Sequence, residues 1–493
     1  MKIIHWLILM LLVVSLPVFV HLDDAPVQLW DESRLAMSAL EMSQTGDLLV
    51  PSFQHSPDMW SLKPPFMIWC MALSVKIFGV SELSVRLPAV IAAMLTFTLL
   101  FLFVNKVLKK SSISFIACFV LVTSAGYVRM HGIRTGDYDG MLALFTTAYL
   151  CFYFLYLNTE KTKYLYYFFA ALLLASMTKG IAAFLFLPGV FLYTVFAKKL
   201  KLVLTNKHLY VGIILLFVTV AAYYVVREQY NPGYFKAVCE NELLGRYTNV
   251  IENHPGPWYF YIKNMVDYNL IYWYLPFCFA LPYAIYSAPE EKQLIMYAAI
   301  TAITYLIIIS VSQTKLLWYD VPVYPVVAIP VAIFINKAFE LLGDNPNLKR
   351  SLTNVFKFFV IVVCGFAYLH TMNDIMLPVK DYDMDDNQYM ALYMKEARLG
   401  IKNVTGYVFT DDTRQDQNIL FYYDVLKKDR RLQFKELNEM SENDSVIVFK
   451  ESTENYLKQN YELKLLENFE NVKMYQVVSL KAICSQHVLS SNQ

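Results

Sequence analysis

Residues 84–104, SVRLPAVIAAMLTFTLLFLFV, decide the fold class of this 493-residue chain. From Leu87 to Val104 the run contains no charged side chain. A helix that crosses the ~30 Å hydrocarbon core of a bilayer needs about 20 apolar residues, so this run predicts a transmembrane helix. The whole chain is 57% hydrophobic and 17% charged, whereas soluble domains are about a quarter charged. The sequence therefore predicts a multi-pass membrane protein.

Similar apolar runs recur along the first 372 residues and predict about 11–13 transmembrane helices. The two shortest runs meet at Lys179-Gly180 and are the least certain to be separate spans. Residues 66–80 are too short to cross the bilayer, so we expect a re-entrant or interfacial helix there. The first run lacks a small-x-small cleavage site, so we expect it to be retained as a span. The predicted spans are 3–21, 84–104, 113–130, 140–157, 164–178, 181–197, 209–226, 271–287, 293–311, 318–336 and 355–372.

Lysine and arginine residues in the short loops set the orientation, because cytoplasmic loops are enriched in them. With the N-terminus in the cytoplasm, the positive residues of alternate short loops all fall on the cytoplasmic side, and the C-terminus falls outside. The opposite face then carries 22–83, 129–139, the region near Lys179, 227–270, 312–317 and everything after about 373. The cytoplasmic set is Lys106, Lys109, Lys110, Lys161, Lys163, Lys198, Lys199, Lys201, Lys207, Lys337, Lys349 and Arg350.

The last part of the chain differs in character from residues 1–373, which form the predicted all-α membrane domain with outer loops 22–83 and 227–270. Charged residues become frequent in 374–493, and strand-like runs at Val404–Thr410, Ser445–Lys450 and Val472–Val478 accompany a helical stretch at Asn387–Arg398. We expect a small α/β domain there. The net charge of +1 offers no footprint for nucleic acid.

Residues capable of chemistry concentrate on the outer face. Asp31 and Glu32 begin a helical pattern, and an aspartate there is also a common helix cap. Lys63 precedes two prolines that fix the backbone, so it suits a specific phosphate contact as well as simple snorkelling to lipid phosphates. Arg86 enters the second span from the same side.

The second outer loop adds His131, Arg134, Asp137 and Asp139. Carboxylates at the edge of the hydrocarbon are costly unless they are paired or solvated, so they indicate either a site or an interfacial ion pair with Arg134. Further outer residues are Lys179, Glu240, Glu242, Arg246, His254, Lys315 and Tyr319. Several cations and carboxylates around one lipid-facing cavity suit an anionic, phosphate-bearing lipid headgroup.

The order of these motifs resembles the bacterial aminoarabinose transferase and protein O-mannosyltransferase superfamily, glycosyltransferase family 39 with a GT-C fold. The resemblance covers roughly residues 1–335. It implies a polyprenyl-phosphate-linked sugar as donor and a lipid, glycan or protein acceptor reached from the periplasm. The motifs are DESR at 31–34, KPP at 63–65, RLP at 86–88, RTGDYDG at 134–140, TKG at 178–180, HPGPWYFY at 254–261 and KLLWYDVPVYP at 315–325.

The resemblance also implies roles for single residues. Asp31 matches the catalytic aspartate of the first loop, Asp139 matches that of the second loop with Asp137 as its rival, and Glu32 completes an acidic pair. The residues predicted to bind the donor phosphate are Lys63, Arg246, Tyr319, Lys315 and Arg86.

A divalent metal is the remaining implication of the resemblance. His254 matches a histidine that helps to bind a metal in members with a glutamate immediately before KPP. Leu62 stands at that position here, so we expect no required cofactor.

The sequence thus predicts a glycosyltransferase of the bacterial inner membrane that inverts the anomeric configuration. Displacement of a phosphate from an anomeric carbon develops negative charge on the leaving group, which Lys63 with Arg246 or Lys315 would stabilise. Asp31 would act as base for an acceptor hydroxyl. If the acceptor is itself a phosphate, no deprotonation is needed, and Asp31 would orient the acceptor or stabilise the oxocarbenium-like centre. The alternatives are a transporter or flippase of lipid-linked sugars, which needs cations but no base, and a sensor or assembly protein whose outer domain binds a partner.

Overall fold

The computed structural model describes residues 2–243, 245–250, 253–343, 350–376, 385–410, 416–429 and 431–481. Its first part is a helical bundle with long outer loops, and its last part is a small α/β unit. The helices of the first part are α1 (Ile3–Phe19), α2 (Asp31–Thr45), α3 (Phe66–Phe78), α4 (Glu82–Leu108), α5 (Ser111–Val122), α6 (Ala125–Val128), α7 (Tyr138–Thr159), α8 (Thr162–Lys179), α9 (Leu187–Phe196), α10 (Leu200–Leu204), α11 (Lys207–Tyr230), α12 (Tyr234–Val238), α13 (Gly245–Thr248), α14 (Phe260–Asn264), α15 (Tyr274–Tyr283), α16 (Pro289–Val311), α17 (Tyr324–Gly343) and α18 (Arg350–Met376).

The fold class predicted from the sequence is confirmed: the chain is an integral membrane protein. Within the described ranges, seven helical segments are long and apolar enough to cross a membrane, and four apolar helices of 10–17 residues accompany them. The short helix expected at 66–80 is one of these four, at Phe66–Phe78. The seven long segments are Glu82–Leu108, Tyr138–Thr159, Thr162–Phe184, Lys207–Tyr230, Pro289–Val311, Val321–Glu340 and Lys357–Met376.

Two expected spans are shorter than predicted, for local reasons. The helix expected at 113–130 ends at Val122, where the hydroxyls of Thr123 and Ser124 donate back to carbonyls of the preceding turn, both at 2.7 Å. Such bonds compete with the backbone ladder and favour a helix end. The run 271–287 forms only the ten-residue helix α15, which follows a π-helical turn at Met265–Asn269.

The break expected at Lys179-Gly180 is present. Helix α8 ends at Lys179, Gly180 has a φ of +53°, and a 3-10 turn covers Gly180–Phe184. Glycine adopts this left-handed conformation without a steric penalty. The turn places the ammonium of Lys179 among the outer loops.

Helix α7 lies at the centre of the bundle. In its apolar stretch 83% of the residues are buried inside the protein, whereas in that of α11 only 11% are. A helix that is apolar on all sides and poorly buried by protein must face lipid. On the lysine-rich side, Lys110 contacts Glu340 at 3.0 Å and Glu291 at 3.6 Å. These contacts join loops that the sequence assigns to one face.

The α/β unit contains one five-stranded sheet. Its strands are β3 (Tyr407–Phe409), β4 (Leu432–Phe434), β5 (Ser445–Val448), β6 (Tyr461–Phe469) and β7 (Val472–Leu480), and they lie in the order β4-β3-β5-β7-β6. The pairs β3–β4 and β3–β5 are parallel, and the pairs β5–β7 and β6–β7 are antiparallel. The strands expected near 404–410, 445–450 and 472–478 are β3, β5 and β7. The first part also has the two-residue strands β1 (Ser52–Phe53) and β2 (Ser56–Pro57); the last part comprises α19 (Asp386–Arg398), β3 (Tyr407–Phe409), α20 (Gln417–Lys428), β4 (Leu432–Phe434), β5 (Ser445–Val448), α21 (Glu451–Asn460), β6 (Tyr461–Phe469) and β7 (Val472–Leu480).

Helices α19 and α20 fix the α/β unit to the outer ends of α2 and α4. The hydroxyl of Tyr422 donates to Glu82 at 2.6 Å and accepts from the N–H of Val27 at 2.9 Å. Arg398 also pairs with Glu82 at 2.6 Å. Buried residues of α2, α3, α19 and α20 share one apolar cluster. The α/β unit is therefore anchored beside the segment that carries Asp31.

Candidate active site

Helix α2 presents its first two residues to different surroundings. Asp31 has a side chain that is 39% exposed, whereas that of Glu32 is 2% exposed. Glu32 Oε1 accepts from the N–H of Gly136 at 2.8 Å, and Glu32 Oε2 accepts from the N–H of Gln28 at 2.8 Å. Glu32 thus joins the first outer loop to the second.

Arg86 completes this buried arrangement. Its Nε and Nη2 groups donate to Glu32 at 2.7 and 2.9 Å, and Nη1 and Nη2 also donate to the carbonyls of Leu22, Ala25 and Pro26 at 2.7–2.9 Å. These five bonds use all five N–H donors of a guanidinium. Each group is committed to protein atoms, which favours a structural role for Glu32 and Arg86 over the predicted catalytic and phosphate-binding roles. We call this pair and its backbone partners the latch.

The second outer loop carries a histidine–aspartate pair. His131 Nδ1 lies 2.6 Å from Asp137 Oδ2, and the imidazole stacks on the indole of Trp318 with ring centroids 3.7 Å apart. The loop is tightly folded, since a Cβ on Gly136 would lie 2.7 Å from Val85 Cγ1. The loop of the pair is thus bonded to the latch through Gly136, and the imidazole is packed against Trp318.

Asp31 faces this pair. His131 Nδ1 lies 3.9 Å from Asp31 Oδ2. Burial and the neighbouring Asp137 raise the pKa of Asp31, while Lys63, His131 and Lys179 oppose that rise. These opposing effects require three cations close to one carboxylate. Asp31 and Lys63 both lie beside the loop of Asp137 and Tyr138, although 32 positions separate their numbers in the sequence.

His131 and Asp137 shift each other's pKa in opposite directions. Burial alone would lower the pKa of His131, but the hydrogen bond to Asp137 and the nearby carboxylates raise it above its usual value. Burial would likewise raise the pKa of Asp137, yet its bond to His131 holds that pKa below the usual range. Both shifts favour the ion pair of a protonated His131 with an ionised Asp137.

The second carboxylate of the loop, Asp139, has its own cation. Lys179 Nζ donates to both oxygens of Asp139 at 2.6 and 2.5 Å, and both side chains are buried. The same ammonium lies 5.3 Å from the ring of Tyr319. Lys179 therefore neutralises Asp139 and lies against Tyr319, whereas His131 neutralises Asp137 beside Asp31.

Lys63 lies against Tyr138, the residue that follows Asp137. Its Nζ is 3.3 Å from Glu242 Oε1 and 5.2 Å from the ring centroid of Tyr138. The carbonyl of the preceding Leu62 accepts from the hydroxyl of Tyr234 at 2.6 Å, which fixes the backbone there. An ammonium held at this position suits a phosphate oxygen, which would replace Glu242 as its partner.

The remaining predicted residues divide into three cases. Lys315 is buried and donates through Nζ to the carbonyl of Ser312 at 2.5 Å. Its backbone N–H bonds the carbonyl of His254 at 3.0 Å, so it links two outer loops. The side chain of Arg246 lies outside the described residues.

His254 does not belong to a compact group of metal-ligand side chains in the part of the chain that the structure describes. The group that is compact enough consists of Asp31, His131 and Asp137, with ligand atoms within 4.8 Å of one another. The placement of a metal at His254 is therefore not supported. Sequence analysis missed the importance of His131 and Trp318, because a lone histidine and an interfacial tryptophan are both common without a function.

The arrangement offers a base and a separate cation beside one loop. Asp31 is the most exposed carboxylate of the cluster, and Lys63 is a cation on a fixed backbone. Such a site can accept a proton from a hydroxyl at Asp31 and stabilise negative charge at Lys63.

Comparison with known proteins gives similar sequences and a similar fold. The sequence family described as dolichyl-phosphate-mannose-protein mannosyltransferase matches residues 62–225. A protein of Aquifex aeolicus without an assigned function is 25% identical over 361 residues, which are 73% of this chain and 68% of that protein. Undecaprenyl phosphate-alpha-4-amino-4-deoxy-L-arabinose arabinosyl transferase 1 of Proteus mirabilis is 26% identical over 359 residues, 71% of this chain and 62% of that enzyme. The match therefore spans less than two thirds of that enzyme's length.

The crystal structure of ArnT from Cupriavidus metallidurans bound to undecaprenyl phosphate has the same fold. The two structures superpose with a TM-score of 0.70 and 16% identity, covering 96% of this chain and 98% of that one. The agreement extends over both the helical bundle and the α/β unit, because almost all of each chain is included.

Proposed function

Since this chain belongs to the GT-C glycosyltransferases of the aminoarabinose and protein mannosyl transferase type, we propose that it transfers a sugar from a polyprenyl-phosphate donor. The acceptor is a lipid, glycan or protein on the periplasmic side of a bacterial inner membrane. The observation that carries the proposal is that Asp31 and Lys63 lie beside the same loop, Asp31 against Asp137 and Lys63 against Tyr138. A base and a phosphate-binding cation must stand on either side of a reacting anomeric carbon for this chemistry.

Lys63 is the donor-phosphate residue in this proposal. The polyprenyl chain lies in the bilayer, and its phosphate reaches the outer end of the bundle, where Lys63 is held between Glu242 and Tyr138. When the bond between the anomeric carbon and the phosphate oxygen breaks, the electron pair stays on the phosphate. Lys63 stabilises the added charge, which is stronger in the transition state than in the bound donor.

Asp31 is the base in this proposal. An acceptor hydroxyl beside Asp31 loses its proton to the carboxylate while its oxygen forms a bond to the anomeric carbon. A single in-line displacement of this kind inverts the anomeric configuration. The imidazolium of His131, 3.9 Å from Asp31, keeps the carboxylate ionised and oriented.

Asp139 and Asp137 support the site without acting as the base. Their charges are neutralised by Lys179 at 2.5 Å and by His131 at 2.6 Å. A carboxylate already bonded to a cation is a weaker proton acceptor than one that is free to approach the substrate. We therefore assign both aspartates a positioning role.

The proposal is tested by comparing envelope molecules from bacteria with and without this protein. We expect one class of lipid or glycan to gain the mass of one sugar and undecaprenyl phosphate to be released in equal amount. The purified protein in nanodiscs should reproduce the gain with a labelled donor. Movement of intact labelled donor between leaflets, without any change in the mass of a product, would instead establish a flippase.

A further inference from the structure

A second cavity of about 460 Å³ lies between the first outer loop and the α/β unit, next to the proposed base. Pockets for small ligands commonly enclose about 300–1,000 Å³ and often lie between domains. The loop contributes Leu29, Trp30, Phe53 and Gln54, and the α/β unit contributes Asn387, Asp416 and Gln417.

The cavity is directly connected to Asp31 through the chain. Trp30 precedes Asp31, so their Cα atoms are about 3.8 Å apart. The carbonyl of Trp30 accepts from the hydroxyl of Ser33 at 3.1 Å and from the N–H of Arg34 at 3.0 Å, and its φ of +74° is unusual for a tryptophan. The first turn of α2 therefore holds Trp30 in place, and its side chain is 61% exposed.

The loop side of the cavity is aromatic. The guanidinium of Arg34 lies 4.4 Å from the ring centroid of Phe53 and is paired with Asp58 at 2.7 and 3.1 Å. The ring of Phe53 is thus held by a cation that is itself fixed. Trp30 and Phe53 together give the cavity two flat apolar faces.

The side formed by the α/β unit is polar and contains an unused hydrogen-bond acceptor. Asn387 Nδ2 donates to Asp416 Oδ1 at 3.0 Å, and Lys450 Nζ lies 2.8 Å from Asp416 Oδ2. Gln417 is only 7% exposed, and its Oε1 has no hydrogen-bond partner among the residues that the structure describes. Buried polar atoms are normally paired, so this oxygen points to a ligand that donates a hydrogen bond.

The chemistry of the lining selects the ligand class. The described lining residues supply one carboxylate, three amides and no cation. A phosphate would meet the carboxylate of Asp416, and Lys450 beside it is already paired with that carboxylate. A saccharide ring has C–H faces that pack on aromatic rings, and hydroxyls that both donate to and accept from amides and carboxylates.

We propose that this cavity binds a saccharide ring of the acceptor and directs one of its hydroxyls toward Asp31. The inference rests on the proposed function, because it names the acceptor of that same site. It assigns Trp30 as the stacking surface and Gln417 as a hydrogen-bonding residue that positions the acceptor. The saccharide could be free glycan or the headgroup of a glycolipid, and both sources share this chemistry.

The first experiment uses the full chain in nanodiscs with two soluble probes, maltose and N,N′-diacetylchitobiose, in saturation-transfer NMR. We expect at least one probe to receive saturation at its ring protons and the signal to fall at least fivefold in Trp30→Ala and in Gln417→Leu. The matched controls are Tyr286→Ala, whose aromatic ring is 85% exposed on a distant loop, and Gln433→Ala, an exposed glutamine of the α/β unit. Both controls should keep the wild-type signal.

Two further readouts separate this inference from the proposed function. Binding of undecaprenyl phosphate should be the same in wild type, Trp30→Ala and Gln417→Leu, which also shows that the variants are folded. Loss of that binding from wild type would remove the proposed function itself. Mass spectrometry of lipid extracts and of aqueous glycans then identifies which fraction loses its added sugar at least fivefold in Trp30→Ala.

Saccharide signals that do not depend on Trp30 and Gln417 would overturn the inference. So would saturation transfer to dihexanoyl phosphatidylglycerol or to a serine-containing peptide, with none to either saccharide.

Discussion

Asp31 and Glu32 are neighbours in the chain, yet the latch and the catalytic cavity use them for opposite purposes. Glu32 is buried with Arg86, and every donor of that guanidinium is bonded to protein. Asp31 is 39% exposed, lies 3.9 Å from His131 and is influenced by the charges of Lys63 and Lys179. The latch fixes the geometry of two loops, whereas the cavity keeps a carboxylate available. A charged residue near this site is therefore functional only where its hydrogen-bonding capacity is left open.

The largest expected effect is on folding, from Glu32→Ala. The change leaves the buried charge of Arg86 without its partner, which typically costs about 3–5 kcal/mol. We expect a large fall in the thermal unfolding midpoint of the detergent-solubilised protein. Asp31→Ala is the matched control and should unfold near the wild-type temperature, because Asp31 is partly exposed. Equal unfolding midpoints for the two variants would contradict the assignment of a structural role to Glu32 and not to Asp31.

Lys179 and Asp139 stand between the two cases, since they are buried like the latch but adjoin the cavity. Lys179→Met or Asp139→Asn alone leaves one buried charge, and we expect each to destabilise the protein by about 3 kcal/mol. The double variant should recover much of that stability but little transfer activity, because the cation near Asp31 is lost. Unfolding midpoints and transfer rates measured on the same samples would show this split. Full recovery of both stability and transfer activity in the double variant would mean that Lys179 and Asp139 have only a structural role.

Lys63→Met tests the open side of the cavity through donor affinity. A hydrogen bond to a charged group contributes about 1.5–3 kcal/mol, so undecaprenyl phosphate should bind at least roughly tenfold more weakly. Lys76→Met, an exposed lysine of α3, is the control and should bind normally. Unchanged affinity in Lys63→Met would place the phosphate elsewhere.

The smallest expected effect is a shift in pH dependence. Asp31 must be ionised to act as a base, so transfer falls as the pH drops through its raised pKa. The charge of His131 lowers that pKa. His131→Gln should therefore move the acid limb of the transfer rate to higher pH by a fraction of a unit, while the exposed His5→Gln leaves it in place. A shift toward lower pH would contradict the assigned charge of His131.

Much of the architecture could be predicted from the sequence, because apolar runs and short lysine-rich loops follow directly from the physics of the bilayer. The same patterns placed Asp31, Lys63 and the loop of Asp137 and Asp139 on one face. Those residues do lie together. The order of short motifs along the chain was therefore sufficient to predict which residues lie near one another at the site.

The division of labour within the site could not be predicted in the same way. Successive residues of a helix point about 100° apart, so Asp31 and Glu32 look equivalent in sequence but face different surroundings. The partner of Glu32 is Arg86, 54 positions away in the sequence. The residues around Glu32 in the sequence do not indicate this pairing. Likewise, Thr123 and Ser124 end a helix inside an apolar run because their hydroxyls bond the preceding turn.

Asp31→Asn provides the most direct test, because it removes the base while keeping the size of the side chain. The purified variant and the wild type would be compared for undecaprenyl phosphate binding and for sugar transfer in the same nanodiscs. We predict unchanged binding and a transfer rate at least roughly a hundredfold lower, the usual contribution of a general base. Transfer at the wild-type rate by this variant would contradict the account.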